Sequence, residues 1–173
     1  MSNFKEDLQQ IRAFAFDVDG VLSSPRVFLS PDGDMLRTMN TKDGYALQYA
    51  VKKGYPVAII TGGRSESIGV RFRNLGISDI YLGSTFKSED FDNFLSKYRF
   101  RADQILYMGD DLPDFEVMKI AGVACCPADA VEEIKGISAY VSHLPGGQGC
   151  VRDIIEQVLR LHGNWMDGEA FSW

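Results

Sequence analysis

The sequence has few cysteines, and their spacing excludes two kinds of small stabilised fold. Only Cys125, Cys126 and Cys150 are present, two of them adjacent, and none forms a C-x-x-C pair. Three cysteines cannot pair completely within one chain, so the pattern fits neither a disulfide framework nor a zinc knuckle. Free cysteines are typical of proteins from a reducing compartment. We therefore predict a cytoplasmic protein.

Positive charge and long apolar runs are also scarce. The chain carries 18 Lys and Arg against 24 Asp and Glu, a formal charge of -6. Binding to nucleic acid by phosphate neutralisation scales with the number of basic contacts, so we expect no nucleic-acid partner. No apolar run approaches the ~20 residues that span a bilayer. The N-terminus has acids where a signal peptide carries basic residues, so we expect no membrane partner.

What the sequence does contain is an ordinary globular composition in an alternating pattern. Its 173 residues are 45% apolar and 24% charged, which suits one domain over 1–173. Short apolar runs alternate with helical periodicities, and such runs suit parallel strands that are covered on both faces. The predicted strands are 13–16, 57–60, 80–82, 105–108, 123–126 and 139–141. This order predicts a doubly wound, Rossmann-like α/β fold.

Local signals add two helix starts, an insertion and a tail. Ser88 is a candidate N-cap, and Asp129 with Glu132 resembles a capping box. Residues 27–29 and 35–37 flank a turn, which predicts a small β-hairpin insertion over about 26–38. The tail over about 163–173 has no clear period and is predicted to be flexible.

Polar and acidic residues come from four separate places to the ends of the predicted strands. They are Asp17 and Asp19, Thr61 and Gly62, Lys87, and Asp110, Asp111 and Asp114. Because ligands bind outside the carboxyl ends of parallel strands, we expect these side chains to meet at one edge. Clustered carboxylates need a cation, and oxygen ligands without His or Cys favour Mg²⁺. A lysine and a hydroxyl beside Mg²⁺ form a natural phosphate site.

Taken singly, these motifs have simpler explanations. D-x-D-G sequences are common in turns and calcium loops, T-G-G sequences cap helices, and a lone lysine is most often solvated. The joint order and spacing of all four along one chain favour a functional site.

The four segments together resemble the motifs of the haloacid dehalogenase superfamily. They are Asp17-Val18-Asp19-Gly20-Val21, Thr61, Lys87 and Gly109-Asp110-Asp111-Leu112-Pro113-Asp114. Most members of that superfamily are phosphatases with an aspartate nucleophile. The resemblance implies that Asp17 attacks phosphorus and that Asp19 acts as general acid and then as general base. It also implies that Thr61 and Lys87 hold the phosphoryl oxygens.

The same resemblance implies a metal site and its supports. Asp17, the main-chain carbonyl of Asp19 and Asp110 would bind Mg²⁺. Asp111 would act through a metal-bound water, and Asp114 would orient Lys87. Too few residues separate the motifs for a cap domain, so the site is expected to be open within one chain.

Within the uncapped branch, the chain resembles the family of 3-deoxy-D-manno-octulosonate 8-phosphate phosphatases. The resemblance lies in D-V-D-G-V-L, the hairpin insertion, residues 39–44 and the P-G-G-Q-G sequence before the last helix. That family releases a keto-acid sugar for lipopolysaccharide synthesis, as homotetramers in which a neighbour completes each site. The implied substrate-binding residues are Asp19, Asn40, Thr41, Lys42, Asp43, Gly44, Gly62, Arg64, Arg71 and Lys87. For the glycines of P-G-G-Q-G, a plain turn and an anion cradle both stay open.

Some positions depart from the family and leave alternatives open. Gly63 stands where an arginine usually follows Thr-Gly, and the adjacent Arg64 could supply the charge. For residues 40–44 the alternative is helix capping by Asp43, and Arg71 could be a solvated helix charge. A sister phosphatase for nine-carbon, sialic-acid-type keto-acid 9-phosphates is the alternative function. A non-catalytic regulatory or assembly protein is disfavoured, because every motif acid is present.

Overall fold

The computed structural model describes residues 3–173, which form eight strands and seven helices. The strands are β1 (Ala13–Phe16), β2 (Phe28–Leu29), β3 (Met35–Leu36), β4 (Val57–Thr61), β5 (Asp79–Leu82), β6 (Ile105–Met108), β7 (Val123–Cys126) and β8 (Tyr140–Val141). The helices are α1 (Phe4–Gln9), α2 (Thr41–Lys52), α3 (Glu66–Arg73), α4 (Lys87–Tyr98), α5 (Phe115–Ile120), α6 (Glu132–Ile137) and α7 (Cys150–Leu161). The six strands predicted for the main sheet are confirmed to within one residue at each end.

Six of the strands form one parallel sheet in the order β5-β4-β1-β6-β7-β8. The central strand is β1, in which Phe14 lies opposite Val57 on one side and Leu106 on the other. The chain runs outward through β4 and β5 and then crosses back to β6 on the far side of β1. Open α/β sheets bind ligands at such a reversal of strand order, outside the carboxyl ends of the strands. The predicted doubly wound fold is confirmed.

Alternate side chains of the central strand pack into two separate cores. Phe14 and Phe16 lie in the core that contains the buried residues of α2 and α7. Ala13 and Ala15 lie in the other core, with Phe91 and the buried residues of α5. Every residue of β1, β4 and β6 is buried, which explains why these strands appear in the sequence as uninterrupted apolar runs.

Both predicted capping residues are wrong. Helix α4 begins at Lys87 after the N-cap Phe86, so Ser88 is already inside the helix. Helix α6 begins after Val131, and the carboxylate of Asp129 instead accepts a hydrogen bond from the N–H of Gly146 at 2.8 Å. Local capping preference is weak. In the case of Asp129, a hydrogen bond to a residue distant in sequence engages the carboxylate that was predicted to cap the helix.

The hairpin insertion is present but smaller than the predicted span. Its strands β2 and β3 have two residues each and pair antiparallel, with Phe28 opposite Leu36. The apolar side chains of β2 are largely exposed, at 69% for Phe28 and 75% for Leu29. Within residues 3–173 the hairpin pairs with no strand of the main sheet.

The tail over 163–173 packs on the helices that carry the first core. The Trp165 ring lies edge-on to Tyr49, with 5.3 Å between centroids, and Trp173 lies edge-on to Tyr45 at 5.7 Å. In the part of the chain that the structure describes, no helix is long and apolar enough to cross a bilayer.

Candidate active site

The loop after β1 brings two acids to the reversal in strand order. Asp17 is buried, and its N–H donates to the carbonyl of Met108 at 3.1 Å, which fixes it to the end of β6. Gly20 has a φ of 86°. A Cβ on Gly20 would overlap the carboxylate of Asp110, so only glycine allows the two loops to approach this closely.

A buried lysine joins the acids of the first and last motifs. The Nζ of Lys87 lies 2.9 Å from Asp17 Oδ1 and 2.7 Å from Asp114 Oδ1. Tyr107 donates its hydroxyl to the same Asp114 oxygen at 2.7 Å, and the N–H of Asp110 donates to the other oxygen at 3.2 Å. Asp114 is thus fully engaged by donors and fixes Lys87 beside Asp17.

The hydroxyl-bearing residues Thr61 and Ser84 line the same cleft as these acids. Thr61, the last residue of β4, is buried, and its Oγ1 accepts a hydrogen bond from the N–H of Gly63 at 3.0 Å. Its carbonyl accepts from the N–H of Ser84 at 2.9 Å. The Ser84 hydroxyl is buried without a hydrogen-bond partner among the described residues. These groups line a cleft of about 550 Å³ that also contains Asp17, Asp19, Lys87, Asp110 and Asp111.

The electrostatics of the cleft favour a cation. Carboxylate oxygens of Asp17, Asp110 and Asp114 lie within 4.8 Å of one another. Burial, reinforced by Asp114, raises the pKa of Asp17 to about 7, although Lys87 acts in the opposite direction. Burial, reinforced by Asp17 and Asp114, raises the pKa of Asp110 to about 8. Because donors already engage Asp114, Asp17 and Asp110 are the carboxylates suited to Mg²⁺, and the oxygen-only donor set fits that ion.

Asp19 differs from the buried Asp17 and Asp114 because its side chain is partly exposed to the cleft. The side chain is 38% exposed, and both of its oxygens accept hydrogen bonds from Arg37, at 2.6 Å from Nε and 3.0 Å from Nη2. The sequence pattern placed Arg37 only at the end of the second hairpin strand, and no role in the site was predicted for it. The nearest sequence signal is the glycine at position 63, where the family usually has an arginine.

The segment Asn40–Gly44 makes structural contacts in the single chain. Asn40 caps α2, since its side chain accepts hydrogen bonds from the N–H groups of Lys42 and Asp43. Asp43 is buried and accepts from the N–H of Arg152 at 2.7 Å, at the start of α7. Burial raises the pKa of Asp43 to about 6. Asn40 thus serves the start of α2 and Asp43 the start of α7, whereas Thr41 and Lys42 are exposed.

Other predicted substrate positions also lie off the cleft. Arg71 lies over Gly44, between α3 and α2. Arg64 is exposed and packs towards Gly83, and it lines a neighbouring pocket rather than the cleft. Gly62 does line the cleft. None of the tail residues over 163–173 lines the cleft of its own chain.

The remaining motif residues have defined places as well. Asp111 lies on the exposed rim, where its side chain accepts a hydrogen bond from the N–H of Leu112 at 2.7 Å. In the P-G-G-Q-G loop, the N–H of Gly146 donates to Asp129 and that of Gly147 donates to the carbonyl of Val21. These two donors are occupied, so the loop supports the first motif as a turn.

Comparisons with known proteins agree on one family. No model of a protein family matches the chain. The 3-deoxy-D-manno-octulosonate 8-phosphate phosphatase KdsC of Salmonella typhi is 35% identical over 164 residues, which are 95% of this chain and 87% of the relative.

Solved structures of the same kind superpose closely. The 3-deoxy-D-manno-octulosonate 8-phosphate phosphatase of Yersinia pestis matches with a TM-score of 0.90 at 31% identity, covering 92% of this chain and 86% of that one. The enzyme of Moraxella catarrhalis, solved with magnesium, phosphate and KDO, matches with a TM-score of 0.89 at 31% identity, covering 93% and 92%.

Proposed function

Since the chain belongs to the 3-deoxy-D-manno-octulosonate 8-phosphate phosphatase family of the haloacid dehalogenase superfamily, we propose that it hydrolyses this phosphate ester with Mg²⁺ as cofactor. The products are the free eight-carbon keto-acid sugar, a precursor of lipopolysaccharide, and phosphate. The observation that carries the proposal is the buried contact of Lys87 with Asp17 and Asp114, next to Asp110. The Moraxella relative holds magnesium, phosphate and KDO, which are the cofactor and the two products of such a reaction.

Phosphoryl transfer begins at Asp17. Its carboxylate oxygen forms a bond to phosphorus while the bond from phosphorus to the sugar oxygen breaks, which gives an aspartyl-phosphate. Thr61 and Lys87 hold the phosphoryl oxygens, and Asp114 keeps Lys87 in place. Asp19 faces the cleft and donates a proton to the departing sugar oxygen.

Water completes the reaction with the same residues. The carboxylate of Asp19, now ionised, removes a proton from a water as the water oxygen bonds to phosphorus. The bond between phosphorus and Asp17 then breaks and releases phosphate. The proton on Asp19 restores its starting state, so one acid serves as both general acid and general base.

A bound Mg²⁺ neutralises the charge that accumulates when a phosphate ester approaches carboxylates. Asp17 and Asp110 would hold it together with the carbonyl of Asp19. Burial and repulsion by Asp114 raise the pKa of both Asp17 and Asp110, and Asp17 also raises that of Asp110. A divalent cation relieves that repulsion and favours the ionised state that a nucleophile and a ligand both need.

The assembly that we propose is a homotetramer in which a neighbour covers each cleft. Within one chain the cleft is open, and the exposed Phe28 and Leu29 of the hairpin give an apolar surface for central packing. Arg71 and the exposed Thr41 and Lys42 would then contact substrate in the cleft of a neighbouring subunit. A closed symmetric oligomer is the usual arrangement for such self-complementary surfaces.

Steady-state kinetics on two substrates tests the proposed function. We expect Mg²⁺-dependent phosphate release from the eight-carbon keto-acid 8-phosphate, with a kcat/KM at least roughly 10-fold above that for a nine-carbon, sialic-acid-type 9-phosphate. Excess chelator should abolish both activities. A higher kcat/KM on the nine-carbon ester would reassign the substrate, and full activity in chelator would refute the metal requirement.

A further inference from the structure

Arg37 comes from the exposed hairpin, yet its side chain is buried in the active-site cleft. Only 5% of the side chain is exposed, although Met35 and Leu36 before it are 47% and 50% exposed. We propose that Arg37 is a positioning residue that holds the Asp19 carboxylate for proton transfer and replaces the arginine missing at position 63. The inference depends on the role proposed for Asp19.

The contact between Arg37 and Asp19 has the geometry of an orienting clamp. Nε and Nη2 of Arg37 donate to the two oxygens of Asp19, at 2.6 and 3.0 Å. A planar guanidinium that binds both oxygens fixes the plane of a carboxylate as well as its distance. The only other side-chain donor to Asp19 among the described residues is the hydroxyl of Ser23, at 3.2 Å from one oxygen. Without Arg37, the partly exposed carboxylate would keep only the Ser23 contact to one oxygen, which does not fix its plane.

The guanidinium occupies space that a side chain at position 63 would need. A Cβ on Gly63 would lie 3.2 Å from Nη2 of Arg37, 3.0 Å from Ile68 Cδ1 and 3.3 Å from Thr61 Oγ1. Nη2 itself lies 3.0 Å from Asp19, so a side chain at position 63 begins beside the same carboxylate and would crowd the guanidinium that holds it.

The clamp also adds a fixed positive charge to the cleft. A guanidinium stays protonated in proteins, and Arg37 lines the cleft beside Asp17 and Asp19. Arg64, the alternative source of charge, lies on the neighbouring pocket instead. Arg37 is accordingly the second cation of the cleft, beside Lys87.

The first test separates positioning of Asp19 from binding of the substrate. Arg37→Ala should lower kcat for the sugar phosphate by roughly 10- to 100-fold, the cost of a misplaced catalytic group, and change KM little. The loss in kcat/KM should be much smaller for p-nitrophenyl phosphate, because nitrophenolate leaves without a proton. Arg37→Lys should retain part of the activity. Arg26→Ala, which removes an exposed arginine from the same segment, is the matched control and should behave as wild type.

The second test moves the arginine to the position that the family uses. In the double variant Arg37→Ala/Gly63→Arg we expect most of the lost kcat to return, whereas Gly63→Arg alone should lower activity because two guanidiniums compete for one place. Equal losses in kcat/KM on the two esters would show that Arg37 does not act through proton transfer to the leaving group, and the positioning role would be wrong. A raised KM at unchanged kcat would make it a substrate ligand, and wild-type kinetics would remove any role.

These outcomes are distinct from failure of the proposed function. If the wild-type protein hydrolysed p-nitrophenyl phosphate but not the sugar phosphate, the substrate would be wrong. The ratio between any alkyl phosphate that it accepts and the aryl phosphate would still test Arg37.

Discussion

The acidic cleft and the hairpin beside it differ in how completely one chain builds them. In the cleft, Asp17, Thr61, Lys87 and Asp114 are all buried and engaged by partners from four different segments. In the hairpin, two strands of two residues each make one short pairing and leave four apolar side chains exposed. The sheet thus fixes the side chains that we propose for catalysis, whereas the hairpin leaves the cleft uncovered within one chain.

This difference separates the part of the proposed function that one chain provides from the part that we assign to a neighbour. Phosphoryl transfer needs groups held at fixed distances, and rigid strand ends provide them. Exclusion of water and recognition of a sugar need a surface over the substrate, which an open cleft lacks. Arg37 connects the two regions, because it begins in the hairpin and ends on Asp19.

The largest expected effect breaks the cleft without touching the hairpin. Asp17→Asn should lower phosphatase activity by roughly 10⁴-fold or more, the scale on which removal of a nucleophile acts, because an amide is a poor nucleophile and a poor metal ligand. The variant should keep the oligomeric mass of the wild type. Phosphate release and light scattering measure the two properties, and full activity in the folded variant would refute the nucleophile assignment.

The next largest effect is expected from a substitution that disrupts the proposed hairpin contacts between subunits and leaves the cleft intact. Light scattering on the wild type should give four times the 19.3 kDa chain mass, and Phe28→Asp should give smaller species because it places charge in an apolar interface. We expect kcat/KM on the sugar phosphate to fall roughly 10-fold or more as the neighbour's contacts are lost. Ile120→Asp, an exposed apolar position on α5, is the matched control. A fully active monomeric wild type would show that the cleft needs no neighbour.

The cleft was also easier to predict from the sequence than the hairpin. The acids of the cleft were predictable because each follows an apolar strand, and parallel strands present their carboxyl ends at one edge. Asp114 beside Lys87 follows from the family motif, and the contact is present at 2.7 Å. These are properties of local pattern and topology, which a single sequence carries.

Arg37 and Asp129 show what the sequence could not provide. The side chain of Arg37 reaches Asp19 from 18 residues away, and the carboxylate of Asp129 binds a loop 17 residues away. Both depend on contacts between segments that local propensity does not encode. The roles of residues 40–44 and Arg71 remain predictions, since one chain shows their structural contacts and not a neighbour's site.

The smallest expected effect tests whether the cleft is built around a cation. In chelated protein, Asp110→Asn should raise the unfolding temperature at pH 9 by roughly 2–8 °C, the equivalent of about 1–2 kcal/mol. The pKa of Asp110 is raised to about 8 in the folded protein. The contribution of the protonated Asp110 carboxyl to the free energy of unfolding is therefore fully present below the unfolded pKa near 4. It is lost as the pH rises through about 8, where the carboxyl ionises in the folded protein.

The amide removes this unfavourable charge, so the gain in stability should be largest at pH 9 and should vanish near pH 4. Added Mg²⁺ should reverse the order, because it stabilises the wild type by binding and cannot use the amide equally well. Asp111→Asn is the control in chelator, since Asp111 is an exposed neighbour whose loss of charge should change the unfolding temperature little. Equal unfolding temperatures for wild type and Asp110→Asn in chelator at pH 9 would mean that the folded protein tolerates the clustered charge without a metal.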